Sequence, residues 1–282
     1  MSREQHLVSV DWLVNNHADP DVIVVDCRWY LDGPEGRHVY EAGHIPDALF
    51  VDVDHELSGP VQEGRRGGRH PLPDMAAFAA TLARLGVRPQ SVVVAYDDRS
   101  GAIAARLWWL LRYVGHPGGR ILDGGIDAWI AEGHPLGTKP HIPDSAPLLT
   151  LSPRADMIVD AAGVAARGPA TCLIDARTPD RYRGDDEPID PRAGHIPGAI
   201  NLPWTDNLGD NSHFAEEAVL EAHYQRAMSC GEVIAYCGSG VTACHDLLAL
   251  ALLGRDDARL YVGSWSDWCS DPERPVATGN DP

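Results

Sequence analysis

An internal duplication is the feature that most limits how this chain can fold. The string A-G-H-I-P occurs at 42–46 and again at 193–197. In each half it is preceded by a run rich in β-branched residues that leads to an Asp, V-I-V-V-D-C-R-W at 22–29 and T-C-L-I-D-A-R-T at 171–178. Because such a match recurs in the same order along both halves, the sequence predicts two copies of one domain.

The order of strand-like and helix-like patterns predicts the fold class. A second buried run in each half, at 92–101 and 232–241, is followed by an apolar helical stretch, at 104–115 and 243–254. Alternation of this kind is typical of an α/β domain whose mostly parallel sheet is flanked by helices. Two further helices are expected, one in each half, at 74–87 and 216–229.

Length and composition place the domain boundaries. A chain of 282 residues is long enough for two domains of about 100–150 residues each. The Pro-rich stretch at 137–153 has no periodicity and is interpreted as containing the connection. We therefore expect an N-terminal domain at 1–138, a linker at 139–153 and a C-terminal domain at 154–282.

Charge and composition exclude several classes of partner and cofactor. The net charge of −18 disfavours nucleic acid and anionic membranes, and an anionic ligand would need local arginines. Neither a signal peptide nor an apolar run long enough to cross a bilayer is evident. Without C-x-x-C pairs or nucleotide-binding glycine motifs, no cofactor is expected.

Cysteine spacing indicates the redox setting. Six cysteines are scattered without a paired framework, which favours reduced thiols and a cytoplasmic protein. They are Cys27, Cys172, Cys230, Cys237, Cys244 and Cys269.

Cys237 lies at a turn suited to thiol chemistry. It follows the apolar run V-I-A-Y and precedes Gly238, Ser239 and Gly240, with a helix expected from about Val241. Backbone N–H groups in such a turn, together with the helix N-terminus, stabilise negative charge and lower a thiol pKa. The duplication sets Asp97 opposite Cys237, so only the second half can use a thiol here. The alternative is a small buried cysteine with a structural role.

The segments quoted so far resemble a known family. The string C-G-S-G-V-T-A (237–243) resembles the active loop of the 3-mercaptopyruvate sulfurtransferases. The tandem halves, L-D-G-G (122–125) and G-S-W (263–265) are similar to rhodaneses along nearly the whole chain. The resemblance implies that Cys237 receives sulfur from a small anionic donor as a persulfide. It also implies transfer to cyanide, a thiol or a thioredoxin-like acceptor.

The resemblance also implies which residues serve the cysteine. Ser239, His70 and Asp54 match a Ser–His–Asp relay that would handle the proton of the substrate thiol. Asp52 is an alternative to Asp54, and spacing does not separate the two.

Arginines are implied for the donor's anionic group, because a guanidinium binds a carboxylate in a two-pronged geometry. Arg181 matches the family arginine. Arg192 is the nearest candidate for a second one, and Arg69 is another; Arg177 is expected to pair with Asp175. The remaining substrate-binding candidates are the loop residues Gly238, Gly240, Val241 and Thr242.

The loop residues favour one donor over another. The rhodanese loop resembles C-R-K-G-V-T, which puts two cations beside the sulfur for thiosulfate, a compact dianion. Here those positions are the neutral Gly238 and Ser239, so 3-mercaptopyruvate is favoured and thiosulfate remains the alternative.

Two other functions are less consistent with the loop. A cysteine-dependent phosphatase needs an Arg six residues after the cysteine, where this chain has Ala243. A non-catalytic sulfur carrier or partner-binding module would not need a complete loop.

The residues repeated in both halves are expected to serve the fold: His44, His195, Asp26 and Asp175.

Overall fold

The structure is a computed structural model that describes residues 3–143, 145–209 and 211–282. It divides into two compact units. Unit 1 lies within 1–59, 73–154 and 210–214, and unit 2 lies within 60–72, 155–209 and 215–282. Two segments, 60–72 and 210–214, therefore group with the opposite half of the sequence. Residues of the expected linker at 139–153 group with unit 1, so a linking role for them stays a prediction.

Unit 1 contains a parallel five-stranded sheet in the order β1-β5-β4-β2-β3. Its strands are β1 (Leu7–Val8), β2 (Val22–Asp26), β3 (Leu49–Phe50), β4 (Val92–Tyr96) and β5 (Gly119–Leu122). Its helices are α1 (Val10–Asn16), α2 (Gly36–Ala42), α3 (Met75–Arg84), α4 (Ala104–Tyr113) and α5 (Gly125–Ala131).

Unit 2 repeats this topology, with a parallel sheet in the order β6-β10-β9-β7-β8. Its strands are β6 (Ile158–Val159), β7 (Thr171–Asp175), β8 (Ala199–Asn201), β9 (Glu232–Tyr236) and β10 (Arg259–Tyr261). Its helices are α6 (Ala161–Ala165), α7 (Pro179–Arg183), α8 (Glu217–Met228), α9 (Ala243–Leu252) and α10 (Ser264–Trp268).

The predicted fold class is confirmed, because the central strands are buried. In β2, β4, β7 and β9 every residue after the first is buried, as expected where helices cover both faces of a parallel sheet. The helices expected at 74–87 and 216–229 are observed as α3 and α8. The edge strands β1 and β6 have two residues each, too short for a sequence pattern to reveal. No helix within the described ranges is long and apolar enough to cross a membrane.

The repeated histidines serve the fold, as expected. The His44 ring stacks on Tyr40 at 3.9 Å, and its Nδ1 lies 2.7 Å from the Tyr40 carbonyl oxygen. His195 makes the same contacts with Tyr182, at 3.8 Å and 2.8 Å. Because both histidines are fully buried, they fix the chain that enters β3 and β8.

One expectation about the cysteines is wrong. Cys172 and Cys230 form a disulfide, whereas the spacing favoured six reduced thiols. They are 58 residues apart in sequence, but β7 pairs with β9, and this register brings Cys172 opposite Val233, close to Cys230. The other four cysteines are buried thiols.

The turn after β4 holds a buried carboxylate. Asp97 is fully buried and accepts hydrogen bonds of 2.7–2.9 Å from the backbone N–H groups of Arg99, Gly101, Ile103 and Ala104. Burial, the largest influence, raises the pKa of the Asp97 carboxyl, and these four donors oppose the increase. We call residues 97–104 the unit 1 anion loop, because its backbone surrounds a carboxyl group supplied by the chain itself.

We expect Asp97→Ala to lower the free energy of unfolding by about 2–4 kcal/mol, because buried N–H donors would lose their acceptor. Chemical denaturation would measure the change. Asp257→Ala, which removes a carboxylate that is 66% exposed and paired with Arg255, is the control and should cost less than about 1 kcal/mol. A loss for Asp97→Ala no larger than that of the control would contradict this account of the loop.

Candidate active site

Cys237 lies at the carboxyl end of β9, the edge of a parallel sheet where ligand sites form. Its side chain is 1% exposed, and its Sγ accepts a hydrogen bond from the backbone N–H of Gly240 at 3.1 Å. The Cys237 N–H donates to Ser264 Oγ at 3.1 Å, and its carbonyl accepts from the Trp265 N–H at 2.9 Å. The start of α10 therefore fixes the backbone of the cysteine.

The turn makes the thiol more acidic than an ordinary cysteine. Burial is the largest influence and raises the pKa of Cys237. Hydrogen bonds from the Thr242 side chain and from the backbone N–H groups of Ser239, Ala243 and Gly240 together outweigh burial and lower the pKa. We call residues 237–243 the unit 2 anion loop. Its donors favour the thiolate, the form of cysteine that acts as a nucleophile.

Gly240 allows the loop to close around the sulfur. Its φ is +81°, and a Cβ at this position would lie 2.4 Å from the carbonyl oxygen of Val262. Glycine is therefore required both by the positive φ and by the close approach of Val262, the residue that follows β10.

Two of the predicted relay residues are in contact. His70 Nδ1 lies 2.8 Å from Ser239 Oγ, and both side chains are buried. Although His70 belongs to the first half of the sequence, its segment at 60–72 groups with unit 2. Its backbone N–H groups bond unit 2 as well: Gly67 N–H donates to Asp267 Oδ1 at 3.0 Å, and Arg69 N–H donates to Ser266 Oγ at 3.1 Å.

The third predicted relay residue lies in unit 1. Asp54 Oδ2 accepts a hydrogen bond from Trp29 Nε1 at 2.8 Å. Asp52 Oδ1 accepts from the backbone N–H groups of Asp54 and His55 and also contacts the His55 ring, so it stabilises a local turn. These contacts within unit 1 leave the choice between Asp54 and Asp52 open, and Asp54 as the third relay residue stays a prediction.

Two guanidinium groups lie beside the unit 2 anion loop. A Cβ built on Gly238 would lie 3.0 Å from Arg69 Nη2 and 3.2 Å from Arg181 Nη1. Both arginines are mostly buried, with side chains 15% and 17% exposed. The residue after Cys237 thus faces two cations that could receive one anionic group.

Buried carboxylates orient these arginines. Arg181 donates to both carboxylate oxygens of Glu187, at 2.7 and 2.9 Å, and its Nη2 lies 3.4 Å from Asp190 Oδ2. Arg69 donates to Asp190 Oδ1, and Arg65 reaches the same oxygen at 3.0 Å. The Asp190 side chain is fully buried, and its ion-pair partners among the described residues are Arg65, Arg69 and Arg181.

The other two arginines named from the sequence are held by fold contacts. Arg192 Nη1 donates to the backbone carbonyls of Asp271 and Arg274, at 3.1 and 3.0 Å. These contacts favour a structural role, so a role in substrate binding for Arg192 stays a prediction with less support than Arg69. Arg177 pairs with Asp175 through two nitrogens, as expected.

Sequence reasoning missed the residues that build the surroundings of the loop. Glu187, Asp190, Ser266 and Asp267 carry no local motif, and the Arg69–Asp190 pair spans 121 positions in the sequence. The internal repeat could have indicated part of this arrangement. The segments 60–72 and 210–214, each of which groups with the opposite half of the sequence, lie at nearly equivalent positions of the two halves. In unit 1 the Phe214 N–H likewise donates to Asp123, next to the turn after β5.

Comparisons with known proteins identify the family of the chain. The sequence model of the family described as "Rhodanese-like domain" matches residues 9–132 and 160–271 of this chain. A Pseudomonas aeruginosa protein named "Probable 3-mercaptopyruvate sulfurtransferase" is 46% identical over 97% of this chain and 98% of its own length. SseB of Mycobacterium tuberculosis, provisionally named a thiosulfate sulfurtransferase, is 44% identical over 93% of this chain and 92% of its own length.

A solved structure shows the same architecture. The 3-mercaptopyruvate sulfurtransferase from Leishmania major superposes with a TM-score of 0.81 at 30% identity, covering 93% of this chain and 73% of that one. The chain belongs to the rhodanese family, with two rhodanese-like domains. Within that family it is a tandem-domain sulfurtransferase, which confirms the resemblance seen in the sequence.

The lowered pKa of Cys237 predicts how its reactivity depends on pH. Because the thiolate forms above the lowered pKa and is lost as pH falls through it, alkylation of Cys237 by iodoacetamide should have a midpoint below the usual value of about 8.5. Thr242→Val, which removes one donor at nearly constant shape, should raise the midpoint.

Peptide mass spectrometry would follow Cys237 separately from the other thiols. Thr205→Val, at a threonine whose side chain bonds only Asp206 among its described contacts, is the control and should leave the midpoint unchanged. A wild-type midpoint at or above that of free cysteine would contradict the proposed stabilisation of the thiolate.

Proposed function

We propose that Cys237 receives sulfur from 3-mercaptopyruvate as a persulfide and passes it to a thiophilic acceptor. In the first step the Cys237 thiolate attacks the donor sulfur and the donor C–S bond breaks. The electron pair stays on carbon as an enolate, and the proton of the donor thiol ends on that carbon, giving pyruvate and Cys–S–S⁻. Atoms and charge balance without a redox partner, in line with the expectation of no cofactor.

Unit 1 supports the persulfide by analogy. In Asp97 the charged oxygens lie two bonds beyond Cβ, and four backbone N–H groups bind them. In a persulfide the charged outer sulfur also lies two bonds beyond Cβ. Two of the backbone N–H groups that lower the pKa of Cys237, those of Ser239 and Ala243, correspond in the duplicated loop to the Arg99 and Ile103 donors, so the unit 2 anion loop is suited to a similar distribution of charge.

The contact between Ser239 and His70 is the main observation that supports 3-mercaptopyruvate as the donor. Cleavage of 3-mercaptopyruvate needs a proton to leave sulfur and reach carbon, and a hydroxyl 2.8 Å from an imidazole nitrogen can transfer it. Thiosulfate needs no proton transfer, because the thiolate takes its outer sulfur and sulfite leaves. A buried Ser–His pair two residues after the cysteine therefore favours 3-mercaptopyruvate.

The donor's carboxylate has a matching site. Arg181 and Arg69 each place a terminal nitrogen within 3.2 Å of one point beside Gly238. A carboxylate at that place could accept from both guanidinium groups. Gly238, Gly240, Val241 and Thr242 would line the rest of the donor site, as the family pattern implies.

Thiosulfate is the second candidate donor. Two guanidinium groups beside the loop would also attract a dianion, and SseB at 44% identity carries the thiosulfate name. The acceptor is proposed to be cyanide, a small thiol or a thioredoxin-like protein. Nucleic acid and membrane surfaces are not proposed as partners, because the net charge of −18 repels polyanions.

Steady-state sulfur transfer to cyanide with each donor tests the proposal. We expect wild type to have a higher kcat/KM with 3-mercaptopyruvate than with thiosulfate. Ser239→Ala should reduce kcat with 3-mercaptopyruvate by about 100-fold, the usual scale of proton-transfer catalysis, and should affect thiosulfate much less.

Ser229→Ala is the matched control, because Ser229 is exposed and bonds only a helix carbonyl among its described contacts. Mass spectrometry of the donor-treated protein should find one added sulfur atom on Cys237. A preference for thiosulfate that Ser239→Ala leaves unchanged would overturn the donor assignment. Absence of sulfur from Cys237 with both donors would overturn the persulfide.

We also propose a cytoplasmic setting, where thiol acceptors are plentiful. Since a reducing compartment disfavours disulfides, the fraction of the Cys172–Cys230 pair that is oxidised in resting cells tests this setting. Rapid alkylation of cell lysates in acid, followed by peptide mass spectrometry, would measure its state. A pair found fully oxidised in unstressed cells would argue against this setting.

A further inference from the structure

The arginines beside Gly238 belong to one connected set of ion pairs. Asp190 contacts Arg65, Arg69 and Arg181, while Glu187 contacts Arg181 and Arg177. Arg177 in turn pairs with Asp175, at 2.6 Å. We call this set the arginine–carboxylate network. Among the described residues its cations are Arg65, Arg69, Arg177 and Arg181, and its anions are Asp175, Glu187 and Asp190.

The charges of this network nearly cancel. Four guanidinium groups and three carboxylates leave a net charge of +1. The three carboxylate side chains are at most 2% exposed, so solvent screens them weakly and the balance acts directly on a donor bound at Gly238. Because the Arg65 side chain is 41% exposed, water screens part of the fourth positive charge, so the network is close to neutral and suits one negative charge better than two.

Asp190 is the carboxylate shared by the two arginines that lie beside Gly238. It is the only member of the network, among the residues described, that touches both Arg69 and Arg181, the two arginines beside Gly238. Its position is fixed locally, because its backbone N–H donates to Glu187 Oε1 at 3.1 Å. Its negative charge therefore reduces the field of both guanidinium groups where the donor's anionic group would lie.

We propose that Asp190 is a specificity-determining residue that sets the charge of the donor site and selects a singly charged donor over a dianion. The proposal rests on the proposed function, because it assigns the choice between 3-mercaptopyruvate and thiosulfate. Asp190 does not touch the donor; it acts through Arg69 and Arg181. Without its charge the network would carry +2, which would favour thiosulfate more than 3-mercaptopyruvate.

The test compares the two donors in Asp190→Asn. Asparagine keeps the shape and an oxygen that can accept from Arg69, while it removes the charge. We expect the ratio of kcat/KM for thiosulfate to kcat/KM for 3-mercaptopyruvate to rise about tenfold, since a buried unit charge acts more strongly on a dianion. Glu187→Gln removes another buried charge of the network and should shift the ratio in the same direction.

Asp185→Asn is the matched control. It changes the net charge of the chain equally, but its carboxylate is 63% exposed and pairs with Arg183, outside the network. The donor ratio should stay within about twofold of wild type, because water and salt screen an exposed charge. A merely structural role of Asp190 would lower kcat/KM for both donors and leave their ratio unchanged, which would overturn the proposal.

An inhibition experiment on the wild-type protein covers the case in which the variants fail to fold. Methanesulfonate and sulfate have similar tetrahedral heads but charges of −1 and −2. At constant ionic strength we expect methanesulfonate to compete with the donor at least as well as sulfate, and Asp190→Asn to reverse the order. Tighter inhibition of wild type by sulfate would overturn the proposal. Failure of the wild type to form a Cys237 persulfide would instead overturn the proposed function.

Discussion

Both units depend on the convergence of backbone N–H groups on one side chain that follows a buried strand. In unit 1 four such groups bind the Asp97 carboxylate, and in unit 2 the corresponding turn stabilises the Cys237 sulfur as an anion. Close approach of neighbouring backbone makes Gly240 obligatory, and the start of α10 holds the cysteine in place. The rest of the site supplies protons and charge to this arrangement.

Duplication allowed the two loops to take different roles on one architecture. A carboxylate that is part of the chain satisfies the donors permanently, so the unit 1 loop contributes stability without reactivity. A cysteine in the same place has no atom two bonds beyond Cβ, and in the proposed persulfide a sulfur atom from the substrate would take that place. The same backbone geometry thus serves the fold in unit 1 and would serve the proposed persulfide chemistry in unit 2, because the side chain decides whether the anion is fixed or exchangeable.

Local charge in unit 2 opposes the charge of the whole chain. A protein with a net charge of −18 repels small anions, yet Arg69 and Arg181 face the loop that carries Cys237. Buried carboxylates both hold these arginines in place and reduce their positive field. The same ion pairs therefore orient the two arginines and set the net charge around them, so the geometry of the site and its proposed preference for a ligand charge depend on the same contacts.

The sequence by itself determined the two-domain α/β fold and the placement of Cys237 and Asp97 at equivalent turns, from which reactivity was predicted for Cys237 alone, because repeats, buried runs and a glycine-rich turn are local patterns. It also provided the family pattern from which Ser239, His70 and Arg181 were assigned. Only the tertiary structure decided that His70 and Arg69 join unit 2, that Asp190 balances two arginines and that Cys172 meets Cys230. Those pairings join residues far apart in the chain, and their strength depends on burial and geometry that no local pattern encodes.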